Sequence, residues 1–397
     1  MTQSPWQRPL SPREVDIAII GGGVIGCATA FALRQQDPSL RLAIIEADRL
    51  AHGASGRNAG FVLLGAPGAD PGAENPSERE RAQRLWGFTS ENARAIRDLD
   101  GRAFDLRWTG SVIAAGSTSE AEMLRRQSIA LTGVEWMEPD AVHRRIGGRG
   151  FYGGLFIAEG GVLHPAKLVR HLAALSGATV LEGARVSAIT STEGHVLLRT
   201  ETGTIRAGQV AVCLNAYLPK LLPELSGWVR PVRAQMLATE PVAPVLDVPV
   251  YSHDGYFYLR QRADGRLLLG GARHLHRDAE VGYEDATTPE LQGSLSRYLA
   301  DHFPRLGPAA VVREWSGTMG FSPDGLPVVG EAPGLPGVTV AAGFTGHGMG
   351  YALRFGAMLA RRILGQHDPD ADLFDASRFE APPASPSETA SLPPLHD

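Results

Sequence analysis

The sequence predicts an α/β protein with a Rossmann-like domain, and two stretches of the chain support this prediction. Residues 15–20 form a short apolar run rich in β-branched side chains, followed by a glycine-rich turn, a helical stretch over residues 27–36 and a second apolar run over residues 41–45. This order is typical of a βαβ unit with strands buried on both faces. Near the other end, residues 338–342 form another apolar run that leads through glycines into a helix ending near residue 364.

Composition narrows the class of protein. The chain has 397 residues, which at about 150 residues per domain predicts two or three domains. Glycine is the outlier, with 47 residues of 397 against a usual share of roughly 7%. The formal net charge of −5 argues against a general nucleic-acid-binding protein. With only two cysteines, a disulfide framework is excluded. The sequence has no apolar run typical of a secretory leader or of a membrane-spanning helix, so we predict a cytoplasmic protein.

The first motif is the glycine-rich turn after the first strand. Gly21, Gly23 and Gly26 match G-x-G-x-x-G between a strand and a helix, which is the context that a dinucleotide-binding turn requires. Glu46 follows 20 residues after Gly26, at the end of the second strand, where a carboxylate can accept hydrogen bonds from a ribose diol and would repel a 2′-phosphate. The alternative is a tight glycine turn that binds no ligand.

The second motif is the segment from Ser55 to Phe61, just after the second strand. Its small and polar residues could offer backbone N–H groups and a hydroxyl to a phosphate. By itself, the segment is equally typical of an ordinary loop.

The third motif is the segment from Gly343 to Gly350, which has four glycines in eight residues. Such a loop lets a flat ring lie against the backbone, and the positive end of the following helix would stabilise an anionic ring. The alternative is a second tight strand-to-helix turn.

Taken in order, these motifs resemble those of the FAD-dependent D-amino-acid-oxidase superfamily, which includes glycine oxidase, sarcosine oxidase and γ-glutamylputrescine oxidase. Residues 55–58 together with 213–217 are most similar to the γ-glutamylputrescine oxidase branch. The resemblance rests on GGGVIG with Glu46, ASGRNAG at 54–60, EGGVLHPAKLV at 159–169, GARVSAI at 183–189, Trp315-Ser316-Gly317 with Pro323-Asp324-Gly325-Leu326-Pro327, and GFTGHGMGYALRFGAMLA at 343–360.

The resemblance implies FAD and a Rossmann-like FAD-binding domain interleaved with a mixed-sheet α+β substrate domain, and we predict that the FAD is non-covalent. It implies that Val186 lends backbone contacts to the adenine and that residues 346–350 line the pyrimidine side of the flavin. The expected domains are a flexible arm at 1–14, an FAD-binding domain at 15–100, 156–229 and 313–375, a substrate domain at 101–155 and 230–312, and a disordered tail at 380–397. The predicted cofactor-binding residues are Gly21, Gly23, Val24, Ile25, Gly26, Glu46, Ala47, Ser55, Arg57, Asn58, Ala59, Gly60, Val186, Asn215, Gly317, Gly343, Gly346, His347, Gly348, Met349 and Gly350.

Several positions depart from the pattern of the superfamily. Met319 stands where glycine oxidase has an arginine for the substrate carboxylate, so a simple α-amino acid would need another cation. Leu268 corresponds to the oxygen-activating lysine of sarcosine oxidase, which puts a fast reaction with O₂ in doubt. Asn58 stands where some relatives have a histidine that links FAD covalently. We expect Met319 and Trp315 to lie beside the substrate.

The predicted activity is oxidation of a C–N bond in an amine or amino acid, with O₂ or another acceptor reoxidising the flavin. The candidate catalytic residues are His347, in the flavin-side loop, and Tyr256 with Tyr258, which strand alternation would place on one face. A backbone-only role for His347 and a structural tyrosine pair are the alternatives. Two further functions stay open: a flavin-binding subunit with little turnover of its own, and an imine-forming biosynthetic enzyme. We predict no metal site, and interpret residues 273–277 as a solvated loop.

Overall fold

The computed structural model describes residues 14–66, 68–306 and 309–379. The predicted tail at 380–397 and the predicted arm, apart from Glu14, lie outside these residues. The strands are β1 Glu14–Ile20, β2 Leu42–Ile45, β3 Phe61–Val62, β4 Arg107–Trp108, β5 Ser111–Ala114, β6 Val134–Met137, β7 Gly154–Ile157, β8 Gly161–Val162, β9 Thr179–Leu181, β10 Val186–Thr192, β11 His195–Thr200, β12 Gly203–Val212, β13 Arg230–Pro241, β14 Val250–Ser252, β15 Phe257–Gln261, β16 Arg266–Gly271, β17 Val311–Phe321, β18 Val328–Glu331 and β19 Val338–Ala342.

The helices of the same residues include the two that were predicted to follow the glycine-rich turns. The α-helices are α1 Val24–Gln36, α2 Ala54–Arg57, α3 Pro76–Arg97, α4 Thr118–Ala130, α5 Pro139–Ile146, α6 Pro165–Ser176, α7 Leu218–Leu221, α8 Pro289–His302 and α9 Gly348–Ile363. Short 3₁₀ helices cover Gly101–Phe104, Asn215–Tyr217, Pro223–Leu225, Arg273–Leu275, Pro304–Leu306, Ala371–Leu373 and Ala376–Arg378. None of the helices in the described part of the chain is long and apolar enough to cross a membrane.

The contacts divide the chain into two compact units, each built from separate segments. The first unit comprises the described parts of residues 1–56, 166–230 and 320–397, and the second comprises those of 57–165 and 231–319. The predicted FAD-binding domain begins with residues 15–100, whereas the contacts group residues 57–100 with the second unit. The reason is packing: Trp86 of α3 lies against a core cluster that includes Leu124 and Leu155. The predicted boundaries, which divide the chain by function, stay a prediction.

The sheet of the first unit confirms the predicted βαβ unit. Strands β2, β1, β12 and β19 lie side by side and run parallel, while β10 and β11 extend the sheet antiparallel beyond β12. The near-continuous apolar composition of these strands follows from burial on both faces. Helix α1 packs against α9.

The parallel strands β1, β2 and β12 end level with one another, and β19 runs two residues further. Ile20 at the end of β1 pairs with both Ile45 of β2 and Val212 of β12, and Val212 pairs with Val340 of β19. The segments that follow these strands therefore emerge at one edge of the sheet, which we call the carboxyl edge. Ligands of open α/β sheets bind at this edge.

The second unit is built on a mixed eight-stranded sheet in the order β17-β13-β16-β15-β14-β5-β7-β6. From β13 to β14 and from β5 to β6 the neighbouring strands are antiparallel, whereas β14 and β5 are parallel. Alternate residues point to opposite faces. Leu267 and Leu269 pack into a core that includes Leu295 of α8, whereas Leu268 between them packs against a smaller cluster on the other face. Together with the first sheet, this architecture confirms the predicted α/β fold class.

Candidate functional site

The glycine-rich turn of the first unit is built without room for side chains. Gly21 has a φ of +111°, and a Cβ there would lie 2.6 Å from the carbonyl oxygen of Cys213. A Cβ at Gly26 would lie 2.1 Å from the carbonyl oxygen of Gly21. Gly23 caps α1 without a side-chain hydrogen bond, so the first backbone N–H groups of the helix face the turn. The geometry is that of a turn that brings backbone close to a ligand.

Two side chains complete this turn. The hydroxyl Oγ of Ser55 accepts a hydrogen bond of 2.9 Å from the Val24 backbone N–H. The carboxylate of Glu46 accepts from the backbone N–H groups of Gly22 at 2.8 Å and Asp48 at 2.9 Å. A carboxylate has about four lone-pair sites, so Glu46 retains acceptor capacity for a diol.

The segment that carries Val186 lies beside the end of β2. The N–H of Gly183 donates to the carbonyl of Asp48 at 2.7 Å, and that of Ala184 donates to the carbonyl of Glu46 at 2.8 Å. These bonds bring the start of β10, where Val186 lies, to the same edge as Glu46 and Ala47.

The second glycine-rich loop of the first unit is held by Asn215. The Asn215 Oδ1 accepts from the backbone N–H groups of Gly343 at 3.0 Å and Phe344 at 3.3 Å. The Thr345 N–H donates to the carbonyl of Gly320 at 2.8 Å, so the loop is fixed on both sides. Sequence reasoning placed Asn215 and Gly343 among the cofactor-binding residues without foreseeing that they contact each other.

His347 caps the helix that follows this loop. Its Nδ1 lies 3.2 Å from the Thr345 carbonyl, which can only accept, so Nδ1 carries the proton. Burial lowers the pKa of His347 below its usual value. The imidazole is therefore neutral near pH 7 and keeps a lone pair on Nε2. Gly348, Met349 and Gly350 form the first turn of α9.

These residues of the carboxyl edge suit the two ends of FAD. The N-terminus of α1, with a positive partial charge, suits a pyrophosphate, and Glu46 suits a ribose diol. The loop at residues 343–347 presents backbone at the start of α9, where an anionic ring would be stabilised.

The remaining residues of the second motif belong to the second unit. The Asn58 Oδ1 accepts from the Gly60 N–H at 2.8 Å. The Nη1 atom of Arg260, on β15, donates to the carbonyls of Ala59 at 2.8 Å, Gly60 at 3.1 Å and Leu163 at 3.0 Å. A half-buried cation therefore fixes this loop, and desolvation lowers the pKa of Arg260 to about 10, which leaves it charged at neutral pH.

One face of the sheet in the second unit carries a cluster of aromatic and apolar side chains, which we call the aromatic face. Met236, Gly270, Tyr258 and Tyr251 are paired in one row across neighbouring strands. The rings of Tyr251 and Tyr258 are 5.9 Å apart, and Tyr251 meets the ring of Phe61 edge-on at 5.1 Å. The aromatic face comprises Ala59, Phe61, Leu63, Val162, Met236, Tyr251, Tyr258, Leu268 and Trp315.

Tyr256 does not share this face, so the expected pairing with Tyr258 is wrong. Tyr256 precedes β15 and packs toward the core on the opposite side of the sheet, with its ring 4.3 Å from that of His274. The strand alternation does not extend to Tyr256 because its N–H closes a turn onto the carbonyl of His253. Within the described residues, no group of three or more histidines, cysteines or acidic residues is placed to hold a metal ion.

Strand β17 presents Trp315, Gly317 and Met319 in alternation with the buried Ser316 and Thr318. The indole N–H of Trp315 donates to the carbonyl of Arg57 at 2.9 Å. A Cβ at Gly317 would lie 3.3 Å from the Cβ of Arg57, so the aliphatic part of Arg57 covers this glycine. The predicted cofactor residues Arg57 and Gly317 thus contact each other beside the predicted substrate residue Trp315.

Sequence reasoning missed Arg260, Tyr251 and Asp285. Asp285 binds Arg57 from a position 228 residues away. Alternation from Tyr258 along β15 was a usable signal for Arg260, whereas neither Tyr251 nor Asp285 lies in a motif.

The parallel sheet with glycine loops at its carboxyl edge defines the first unit as a dinucleotide-binding domain of the Rossmann type. A family model described as FAD dependent oxidoreductase (DAO) matches residues 16–362. The chain belongs to this family and is therefore an FAD-dependent oxidoreductase, as the resemblance implied.

Individual relatives agree with this assignment. A probable oxidoreductase, OrdL, of Rhizobium meliloti is 30% identical over 400 residues, covering 95% of this chain and 90% of the relative. The gamma-glutamylputrescine oxidoreductase of Escherichia coli is 26% identical over 380 residues, covering 91% of this chain and 85% of the relative. The crystal structure of glycine oxidase from Geobacillus kaustophilus matches with a TM-score of 0.76 at 24% identity, covering 91% and 98% of the two chains, and it shows the fold.

Proposed function

We propose that this enzyme oxidises the C–N bond of an amine or amino acid. The chemistry that FAD supplies when bound is acceptance, at N5, of a hydride from the carbon next to nitrogen. The resulting imine hydrolyses to a carbonyl compound and ammonia or an amine. The contribution of this chain is to hold the cofactor, to orient the substrate and to keep the amine neutral.

The aromatic face supports this proposal more than any other observation. Burial raises the pKa of Tyr258 to about 12 and raises that of Tyr251 above its usual value, so both phenols stay neutral. Neutral rings of this kind offer a large apolar contact surface to the carbon atoms of an amine. A half-buried apolar surface also favours the uncharged amine, which has the lone pair that oxidation of the C–N bond requires. The amine is the substrate class that such a face recognises by itself.

Binding of FAD is proposed for the carboxyl edge of the first unit. The N-terminus of α1 would hold the pyrophosphate and Glu46 the ribose, with the segment at Val186 beside the adenine. The loop from Gly343 to Gly350 would lie against the flavin ring. The neutral His347 offers the Nε2 lone pair as a hydrogen-bond acceptor, and no base is required if the amine binds deprotonated.

We propose that FAD is held without a covalent link. Burial raises the pKa of Cys213 to about 12 and also raises that of Cys27, so both thiols are protonated and poor nucleophiles. Asn58 has no nucleophilic side chain. After acid precipitation, flavin should remain in the supernatant, and flavin retained in the protein pellet would disprove a non-covalent site.

The electron acceptor is O₂ or another oxidant. Leu268, which stands where the oxygen-activating lysine of sarcosine oxidase is expected, packs on the aromatic face. The absence of a cation at this position favours slow reoxidation by O₂. The reduced holoenzyme should therefore lose electrons faster to an added quinone or dye than to air, and the opposite order would contradict this part of the proposal.

Anaerobic mixing of the holoenzyme with a panel of amines and amino acids tests the activity. Loss of the oxidised flavin absorbance with an amine, together with release of a carbonyl compound, is the expected result. If no compound reduces the flavin, the chain is a flavin-binding subunit with little turnover, an alternative that the leucine at position 268 also favours. Capture of an imine without carbonyl release would instead indicate an imine-forming biosynthetic enzyme. The cytoplasmic location stays a prediction.

A further inference from the structure

The carboxylate of Asp285 lies in a cradle formed by the second unit. Its Oδ2 accepts from Nη1 of Arg57 at 2.7 Å, and its Oδ1 accepts from the hydroxyl of Ser316 at 2.8 Å. The Arg57 Nη1 also donates to the Ser316 carbonyl at 2.9 Å. A cation and a hydroxyl that engage the two oxygens of one carboxylate are the elements of a carboxylate-binding site. Here the chain's own side chain occupies it.

This cradle lies at the border of the aromatic face. The stem of Arg57 covers Gly317, and its carbonyl accepts the hydrogen bond from the indole of Trp315. Trp315 in turn packs against the cluster that contains Tyr258. The stem of Arg57 therefore borders the aromatic face, and its guanidinium lies at the adjacent backbone of β17, where it donates to the Ser316 carbonyl.

The segment that carries Asp285 is anchored on both sides. On one side, the buried Glu280 pairs with Arg233 at 3.0 Å and accepts from the Gln235 side chain at 2.7 Å. On the other side, the Thr288 N–H donates to the Gln235 side chain at 3.0 Å. Asp285 lies on the short span between these anchors. The fold of the unit therefore holds its carboxylate beside Arg57.

A second arginine beside this face, Arg260, is directed at the backbone. Arg260 donates through Nη1 to the carbonyls of Ala59, Gly60 and Leu163, as described above. Asp285 itself is more accessible, because 60% of its side chain is exposed, against 26% for Arg57. A carboxylate from solution would thus encounter the charge of Asp285 at the same place as the charge of Arg57.

We propose that Asp285 is a specificity-determining residue that withholds Arg57 from the carboxylate of a substrate. The proposal rests on the proposed function, in which the aromatic face binds the substrate. With the charge of Arg57 neutralised by Asp285, the face binds amines that lack a carboxylate next to the reacting nitrogen. A substrate carboxylate would have to share Arg57 with Asp285 and is repelled by Asp285, which disfavours α-amino acids.

The test is to remove the charge of Asp285 and measure binding of a plain carboxylate to the holoenzyme. Benzoate is a suitable probe, with affinity measured by calorimetry and by the change in the flavin spectrum. Asp285→Asn should bind benzoate tighter than wild type by on the order of tenfold, because Arg57 no longer shares its charge with the Asp285 carboxylate. The double variant Arg57→Gln with Asp285→Asn should return to the wild-type affinity. Glu284→Gln is the matched control, because Glu284 lies next to Asp285 but pairs with Arg233.

Benzoate affinity that is unchanged in Asp285→Asn would overturn the proposal, as would tight binding that persists in the double variant. Asp285→Ser provides a second variant if Asp285→Asn folds poorly. Retention of FAD by a variant shows that the variant is folded. Binding of benzoate needs no turnover, so this result is independent of the amine panel. A benzoate response without reduction of flavin by any amine would refute the proposed function and leave the carboxylate cradle standing.

Discussion

The carboxyl edge of the first unit and the aromatic face of the second unit, the two proposed binding regions, are built in different ways. At the edge, the critical residues are glycines, and what they present is backbone: Gly21 and Gly26 leave no space for a Cβ. At the face, the critical residues are side chains that come from separate strands, such as Phe61, Tyr258 and Trp315.

The difference shows how each kind of site is encoded. A backbone cradle needs small residues at fixed local spacing, so it is visible as a motif within a few residues of sequence. A side-chain surface depends on which strands pair and in what register, and its members are scattered along the chain. The four predictions below test whether the edge and the face respond independently.

The largest effect is expected from Gly26→Ala. The new Cβ would lie 2.1 Å from the Gly21 carbonyl oxygen, so the turn and the start of α1 must move apart. Overpacking of this kind costs about 1–3 kcal/mol in stability. We expect FAD to be lost on desalting, measured as flavin absorbance per protein.

The matched control is Gly53→Ala, since a Cβ at Gly53 would meet nothing within 4 Å. Gly53→Ala should retain FAD. Full FAD content in Gly26→Ala would show that the edge does not bind the cofactor through its backbone.

Gly270→Ala should damage the face and spare the edge. A Cβ at Gly270 would lie 2.3 Å from the ring of Tyr258, so the ring must turn away. We expect the KM for the best amine to rise by on the order of tenfold, about 1.4 kcal/mol, while FAD content stays at the wild-type level. Gly293→Ala in α8, with nothing within 4 Å of the new Cβ, should change neither quantity. A loss of FAD in Gly270→Ala would show that the two regions do not respond independently.

Glu120→Gln tests a carboxylate that supports the turn before β15, through the pH dependence of protein stability. The carboxylate of Glu120 accepts from the Gly116 and Asp254 N–H groups, at 2.7 and 2.9 Å, and so holds the turn before β15. Burial raises the pKa of Glu120 from 4.5 to about 7. The folded state therefore binds more protons than the unfolded state between these values, and wild-type stability falls as the pH rises through this window.

The glutamine carries no charge and escapes this loss. We therefore compare the unfolding free energies of Glu120→Gln and wild type, measured by denaturant titration at each pH. The difference between them should shift in favour of the variant by roughly 2–3 kcal/mol from pH 4 to pH 8. Glu122→Gln, at an exposed position of the same helix, is the control and should track wild type. A pH-independent difference for Glu120→Gln would contradict a protonated Glu120.

The smallest effect is expected from Glu46→Gln, which alters one side chain at an edge made mainly of backbone. An amide can still accept from the Gly22 N–H, but it is a weaker partner for a ribose diol. We expect FAD affinity to fall by about fivefold, about 1 kcal/mol, measured by titrating apoprotein with FAD. Asp48→Asn is the control for loss of one negative charge nearby. A loss of FAD as severe as that of Gly26→Ala would mean that the edge depends on this side chain as much as on its backbone.

Much of the edge was predictable, because its residues follow strands in a fixed order. Gly21, Gly23, Gly26 and Glu46 were identified from spacing alone, and the structure places all four at the carboxyl edge. The face was not predictable to the same degree. Tyr256 was assigned to it by alternation, but the residue belongs to a turn and faces the other way.

The sequence by itself determined the class of fold and the position of the glycine turns proposed to bind the dinucleotide, because glycine spacing and apolar runs act over short distances. Only the tertiary structure decided which side chains surround the candidate substrate face and whether their charges are available. Arg57 lies in a motif that predicts phosphate binding, yet its guanidinium pairs with the carboxylate of Asp285, 228 residues away in sequence. Strand β17 and the anchored segment that carries Asp285 bring the two side chains together. Long-range pairing of this kind is set by sheet register, which no local pattern records.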